Sequence, residues 1–592
     1  MSQSIEHARR LSPRRNTTES STVDALVAEQ LAHFGIDKQT PYGQALADTA
    51  GHLYHAQSDV SRLWEITEQT LQELDREDRV AWFNAKKFLS FQLAKILDTL
   101  QNPFRQTWQS LGNGQLSRNH YPLFDNVTAL FSATPVVVRT ATYVYACTEW
   151  VDDAFQGKEF THQIYSRLLN PTNISLANAI VDMEAGPHAA DYLAWNFNSG
   201  MAAIDALLSN VLNHGDILIV SRNVYGGVYQ LLHDFYAQSR RMDIKLAWFD
   251  GYSAEEFNEF YAQTRSQFQA EIDAGANLHV YVESPCNPHG YVLDVPEICR
   301  TAHEHESLVM LDSTLATPVL HRPLQHGEAA CRPDYVVHSY TKDLCGSGAT
   351  TAGVVVGPGY RMFQPKGSQM NGVDWSKTMF WDVYYIKGAF LDSEKAFDVL
   401  NGMKTLELRM MNKVINTQVF TAFLNAHPDI TVNSHAVDTH PNAGLKEKQH
   451  ENGWPCPLFT VDMAGAGLSR DVFTRFFDAL EPAFSHQVSI GQNNTIILCP
   501  ALTSHSELSP EEQKRAGIEL TTMRIAMGTD NVKPLIAHFI LAARHFIEPH
   551  AQGFCEGFMN SEALDKLYAN VAQQVSAQHF GNQPPMTELL TK

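Results

Sequence analysis

The chain has 592 residues, 44% of them hydrophobic, so it can bury more than one core and its length suggests several domains. It carries 44 Lys and Arg against 65 Asp and Glu, a net charge of −21. A surface this acidic repels phosphate backbones and anionic lipid, which argues against nucleic acid and membrane as partners and leaves small ligands bound in local basic pockets.

Residues 1–20 are polar and Arg/Ser-rich, with no apolar segment of the kind that follows a signal sequence. From about Val23 to Leu111 the apolar spacing is mostly helical: Leu63, Ile66, Leu71 and Leu74 share one face, and Phe88, Phe91, Leu93, Ile96 and Leu100 another. This predicts an N-terminal helical extension over residues 1–120. After about Thr134 short apolar runs alternate with helical stretches. Strands are predicted at Asp216–Ser221, Lys245–Phe249, Leu278–Glu283, Ser307–Asp312, Asp334–Ser339 and Ala352–Val356. Runs of this kind joined by crossover helices indicate an α/β protein with a mostly parallel sheet covered on both faces. Its ligands would lie beyond the carboxyl ends of the strands, which puts Glu283, Asp312 and Ser339 on one rim. The large domain is placed at 121–390. From about Ala389 one long helical reading leads into a smaller α/β domain, 391–546, followed by a polar, partly helical tail, 547–592. The cysteines Cys147, Cys286, Cys299, Cys331, Cys345, Cys456, Cys499 and Cys555 are scattered without C-x-x-C pairs, and the 26 histidines show no metal-ligand spacing. Free thiols in a reducing compartment are expected, with no metal. No stretch approaches the roughly 18 apolar residues of a spanning helix, so a cytoplasmic protein is expected.

Three short segments carry chemistry. Asn198-Ser199-Gly200-Met201 opens a helix whose apolar positions are Met201, Ile204, Leu207, Leu208, Val211 and Leu212, with Gly215 as a stop signal. The free N–H groups of such a first turn bind phosphate, although Ser-Gly before a helix can be a plain cap. Ser339-Tyr340-Thr341-Lys342 follows an apolar run and sets two hydroxyls beside an amine; taken alone, Lys342 reads as a solvated loop lysine. Asp312 lies 30 residues earlier, a spacing suited to one crossover between parallel strands. An aspartate there could keep a pyridine nitrogen protonated, or simply end a strand. A phosphate site, a carbonyl-capturing lysine and a pyridinium partner together describe pyridoxal 5'-phosphate.

At this point the residues resemble the Cys/Met-metabolism (trans-sulfuration) family of pyridoxal-phosphate enzymes, which includes O-acetylhomoserine sulfhydrylases, cystathionine γ-synthases, cystathionine lyases and methionine γ-lyases. The resemblance runs from about Thr134 to Phe546 and implies the aspartate aminotransferase-like fold, fold type I. It implies that Lys342 holds the cofactor as a Schiff base, that Asp312 faces its ring nitrogen, and that Ser199, Gly200, Met201, Ser339 and Thr341 surround its phosphate. Tyr225, in Tyr225-Gly226-Gly227, would stack on the ring and act as an acid. Asn287, in Glu283-Ser284-Pro285-Cys286-Asn287-Pro288, would lie near the ring hydroxyl and the substrate. Ser489-Ile490-Gly491 and Arg524-Ile525-Ala526-Met527-Gly528 resemble the elements that bind the substrate carboxylate, with Arg524 as a two-pronged partner. Tyr165 and Arg167, in Tyr165-Ser166-Arg167-Leu168-Leu169-Asn170-Pro171-Thr172, would reach a neighbouring subunit's phosphate. That implies a homodimer with shared sites, more fully a homotetramer. Surface pairing of Arg167 and a turn-shaping role for Asn287 are the structural alternatives.

The pattern departs from the family around the lysine. Tyr340 stands where a small residue is usual, Asp343 where an aromatic is usual, Cys345-Gly346-Ser347-Gly348 replaces the common Gly-His, and Asp312-Ser313-Thr314 replaces Asp-Asn-Thr. Val488 stands where cystathionine γ-lyases often carry glutamate, and Gly227 where methionine γ-lyases often have cysteine; the 165–173 motif is most similar to O-acetylhomoserine sulfhydrylases. The expected reaction is γ-replacement on an activated homoserine ester by a thiol or sulfide. A C–S lyase acting by α,γ-elimination is the alternative, and a silent homologue serving as a binding scaffold is a third.

Overall fold

The computed structural model describes residues 22–33, 35–73, 132–143, 148–157, 165–503 and 517–581. The chain divides into two compact units, Met1–Ile164 and Tyr165–Lys592. In the first, α1 (Val23–His33) and α2 (Pro41–Glu73) pack through Val23, Val27, Leu31 and Ala47. The Phe88–Leu100 face lies outside the described residues.

The second unit opens with α3 (Pro171–Ala185), where Asn170 caps the helix by accepting from the Thr172 N–H and Pro171 occupies the first turn. β1 (Tyr192–Phe197) then leads through Ser199 into α4 (Gly200–Val211). The remaining strands of the large sheet are β2 (Ile217–Ser221), β3 (Lys245–Phe249), β4 (Leu278–Glu283), β5 (Val309–Asp312), β6 (Tyr335–His338) and β7 (Gly353–Pro358). Their spatial order is β1-β7-β6-β5-β4-β2-β3. Pairings from β3 to β6 are parallel, while β7 runs antiparallel to both β6 and β1. The six predicted strands form, two with the predicted bounds and four shifted by one or two residues at one or both ends; β1 was not anticipated. Alternate residues Ile217, Ile219, Val280, Val282, Val309 and Leu311 point to one face, where they meet Phe257 and Tyr261 of α5 (Ala254–Gln267) and Ile298 and Ala302 of α6 (Val295–His303). A capping box between Ser253 and Glu256 starts α5.

After a short hairpin, β8 (Gln369–Met370) and β9 (Val373–Asp374), the chain leaves the large sheet. The long helix expected from about Ala389 is instead two, α7 (Ser393–Met403) and α8 (Leu406–Asn425). Gly402, still inside α7, packs so closely on Cys345 that a Cβ there would sit 2.2 Å from its carbonyl oxygen, and the chain turns just beyond, at Lys404-Thr405. The second sheet has the order β10-β11-β14-β13-β12, from β10 (Thr431–Asn433), β11 (Leu458–Asp462), β12 (Ser485–His486), β13 (Ile496–Leu498) and β14 (Met523–Ala526). It is antiparallel except between β12 and β13. Phe420 and Phe423 of α8 pack with Phe476, Phe484 and Phe539 beneath it. The tail forms the helix Ser561–Gly581, whose Leu567, Val571 and Val575 dock against this same core. No described helix is long and apolar enough to cross a membrane.

Candidate active site

Because β4, β5 and β6 run parallel, their carboxyl ends share one rim: Glu283 pairs in register with Asp312, and Ser339 lies one residue beyond β6. An open cleft of about 200 Å³ sits above this rim. Ser199, Gly200, Met201, Tyr225, Asn287, Asp312, Ser339, Thr341, Lys342, Ser489 and Arg524 all line it. Eleven sequence-predicted residues from seven separate segments and both sheets therefore converge.

On one side α4 begins. Ser199 accepts from the Ala202 N–H at 3.1 Å, so the first-turn amides are ordered at the cleft. Gly200 meets Ser339 so closely that a Cβ would stand 2.7 Å from the serine Cβ and 2.9 Å from its Oγ. This close approach brings a helix N-terminus and a hydroxyl together, the donor set of an anion cradle. Thr314 Oγ1 accepts from the Ser339 N–H at 2.8 Å and its own N–H donates to Asp312 Oδ1 at 3.0 Å, bracing both. The Thr341 hydroxyl, also on the wall, exchanges hydrogen bonds with the Ala352 backbone.

At the floor, burial pushes the carboxyls of both Asp312 and Glu283 upward, and for Glu283 the adjacent Asp312 charge adds to it. A cationic ring nitrogen set against Asp312 would relieve that penalty. Glu283 accepts from the N–H groups of Tyr225 at 2.7 Å and Asn287 at 3.0 Å, so one carboxylate orients two loops. The sequence reading put Glu283 on the rim without giving it this task. Lys342 Nζ donates to Ser489 Oγ at 3.1 Å. Its pKa is lowered to about 8, by burial first and then by Arg524, with Asp343 opposing. A larger fraction of its amine is therefore free to attack a carbonyl near neutral pH.

Arg524 comes from β14, the middle of the second sheet. Its Nη1 donates to Asn287 Oδ1 at 3.0 Å and its Nη2 to the Ser489 carbonyl at 2.7 Å. Nε is buried and finds no partner among the described residues. Burial lowers its pKa to about 10, which leaves it a cation with N–H donors, Nε–H among them, to spare. Tyr165 and Arg167 do not line the cleft of their own chain. Arg167 Nη1 donates to the Tyr385 carbonyl at 2.7 Å, and its guanidinium lies 5.8 Å from the ring centres of Tyr165 and Tyr385.

The unusual neighbours of Lys342 prove to be internal contacts. The buried Tyr340 hydroxyl donates to Asn196 Oδ1 of β1 at 3.1 Å, and Asp343 forms a buried ion pair with Lys413 at 2.6 Å.

A sequence model of Cys/Met metabolism PLP-dependent enzymes matches residues 125–543. The chain belongs to this family. Its cofactor is pyridoxal 5'-phosphate, it is a trans-sulfuration-type enzyme of sulfur amino-acid metabolism, and its fold is that of the type I pyridoxal-phosphate enzymes. It is 30% identical to L-methionine gamma-lyase of Pseudomonas putida over 411 residues, 68% of this chain and 90% of that one. It is 29% identical to O-succinylhomoserine sulfhydrylase of Pseudomonas aeruginosa, covering 69% of this chain and 88% of the relative. The solved cystathionine gamma synthase of Xanthomonas oryzae pv. oryzae superposes with a TM-score of 0.58 at 23% identity, over 70% of this chain and 95% of that one, and shares the fold.

Proposed function

We propose that this family member carries out γ-replacement on an activated homoserine ester, with a thiol or sulfide as second substrate. Lys342 would hold the cofactor, Asp312 its ring nitrogen, and Ser199, Gly200, Met201, Ser339 and Thr341 its phosphate. The Gly200–Ser339 cradle and the raised Asp312 carboxyl support that fit. When bound, pyridoxal 5'-phosphate supplies a carbonyl for the substrate amine and a protonated ring that accepts electron density. Arg524, with Ser489 and Asn287 beside it, would bind the substrate carboxylate and so fix which bonds face Lys342. Lys342 Nζ, freed once substrate binds, would move protons at the substrate's Cα and Cβ. Tyr225 would assist the leaving group at Cγ.

The observation that carries replacement is the packing at Gly227. A Cβ there would stand 2.7 Å from Tyr225 Cε1 and 3.3 Å from Met201 Sδ, so the tyrosine ring occupies the space a cysteine side chain would need. Val488, 76% exposed, lines the mouth without a carboxylate. The sulfhydrylase-like 165–173 motif points the same way. Elimination is the second reading, favoured by the 30% identity to methionine gamma-lyase. Incubation with O-acetylhomoserine, O-succinylhomoserine, cystathionine and methionine, each with and without sulfide, separates the two. Sulfide-dependent formation of homocysteine supports replacement, and sulfide-independent release of α-keto acid and ammonia from methionine or cystathionine overturns it.

Tyr165 and Arg167 would complete the phosphate site of a second copy, giving a dimer with shared sites and a tetramer built from two. Mixing inactive Arg167→Ala with inactive Lys342→Ala subunits should restore part of the activity; no recovery under subunit exchange counts against sharing.

A further inference from the structure

Lys413 lies in the middle of α8, and its side chain is 0% exposed. Its Nζ stands 2.6 Å from Asp343 Oδ1 and 2.6 Å from the backbone carbonyl oxygen of Gln492. Three segments meet on this one ammonium: α8, the large-sheet rim at Lys342-Asp343, and the second-domain loop that carries Ser489. The loop and the rim are also in direct contact. Gly491 adopts φ +73°, and a Cβ there would fall 2.6 Å from the Asp343 nitrogen and 2.8 Å from Lys342 Cβ. Ser489, two residues earlier, accepts from Lys342 Nζ and braces Arg524 through its carbonyl.

A buried ion pair is seldom retained for stability alone, because well-packed apolar residues of the same volume do as well or better. What apolar residues cannot do is hold a backbone carbonyl at a set distance from the lysine loop and balance a carboxylate next to a reactive amine. We infer that Lys413 is a positioning residue, which through Asp343 and the Gln492 carbonyl sets Lys342 against Ser489 and offsets the Asp343 charge beside it. The inference extends the reading of Lys342 as the cofactor lysine.

The charged groups that act on Lys342 are Arg524 from β14 and Asp343 beside it, while Asp312 and Glu283 line the same cleft. Asp343 in turn faces Lys413 and Arg409 of α8 and lies near Cys456. With the Lys413 charge removed, Asp343 is left less compensated and favours the ammonium form of Lys342. With both charges removed, burial and Arg524 still favour the neutral amine.

The test uses the full chain, stripped of cofactor, and trinitrobenzenesulfonate, which reacts with neutral amines; the Lys342 peptide is quantified by mass spectrometry across pH. Lys413→Gln should raise the labelling midpoint of Lys342 by about one pH unit, the Asp343→Asn/Lys413→Gln pair should bring it back, and Lys413→Arg should sit near wild type. In the cofactor-loaded enzyme Lys413→Gln should lower kcat/KM by about tenfold or more, with the KM part reporting the displaced Ser489–Arg524 wall. A variant that lowers thermal stability but leaves the midpoint and kcat/KM unmoved overturns the inference. If Lys413→Gln does not fold, Asp343→Asn decides: its midpoint should drop below wild type, and an unchanged one is equally fatal. Retention of cofactor by Lys342→Ala would sink the cofactor-lysine reading and leave this titration standing, so the two failures are told apart.

Discussion

The two sheets serve the cleft by different geometries. The large sheet offers strand ends: Asp312 and the Ser339–Lys342 turn are there because parallel strands finish together, and any residue in that register faces the cleft. The second sheet offers Arg524 from within a strand, 3% exposed, its guanidinium held between Asn287, just beyond β4 of the large sheet, and the Ser489 loop beside its own sheet. The proposed cofactor chemistry thus falls on a rim that topology creates, and the proposed carboxylate recognition on a side chain held between the two sheets. Changes on the rim should therefore be felt in cofactor retention, and changes on the Arg524 side in substrate affinity.

The largest effect expected on the rim is that of Lys342→Ala. Purified protein should lose its cofactor absorbance and turnover should fall by about 10³-fold or more, since proton transfer by a positioned base alone contributes on the order of 10²–10⁴. An alanine variant that stays yellow and turns over would break the assignment of the rim. On the other side Arg524→Lys keeps a charge but loses the forked donor, so kcat/KM should drop about 10²-fold, mostly through KM, while cofactor absorbance stays. Loss of colour in this variant would erase the proposed division between the sheets. Gly200→Ala is a gentler probe of the rim. Its methyl would press on Ser339, and overpacking of that kind costs about 1–3 kcal/mol, so cofactor should bind about tenfold more weakly in equilibrium dialysis with KM little changed.

Much of the rim was legible because buried parallel strands are short continuous apolar runs, and because Ser199-Gly200 announces a helix start by its capping chemistry. β1 was missed for a physical reason. Tyr-Leu-Ala-Trp-Asn-Phe interrupts its apolar run with Asn196, whose side chain bonds to Asn173 and Tyr340, more than 20 residues away on either side. The break between α7 and α8 was equally hidden, since Lys404-Thr405 carries neither the proline nor the glycine that marks a helix end. Asp343 and Lys413 are separated by 70 residues, and Lys413 in its own sequence reads as one more solvated helix lysine. A Pro-flanked turn did not reveal that Glu283 holds both Tyr225 and Asn287. These contacts depend on which segments meet, and no local spacing encodes that.

The smallest predicted effect isolates the rim's amine without any substrate. In cofactor-free protein Lys342 has its pKa lowered from the usual 10.5 to about 8, chiefly because burial disfavours the ammonium. Below about pH 8 folded and unfolded chains both carry the proton, and the folded state bears the full cost of burying the charge. Between about 8 and 10.5 the folded chain has released the proton while the unfolded chain still binds it, so this group makes stability rise with pH across that window. Discounted for the solvent that reaches an open cleft, the cost is about 1 kcal/mol. Lys342→Met should accordingly melt about 1 °C above wild type at pH 7, with the gap closing toward pH 10.5. Titration of the other lysines cancels in the difference between the two proteins. A gap that is absent at pH 7, or that widens as pH rises, would mean that the Lys342 amine is as well solvated as any surface lysine, and the rim would lose its means of keeping that amine reactive.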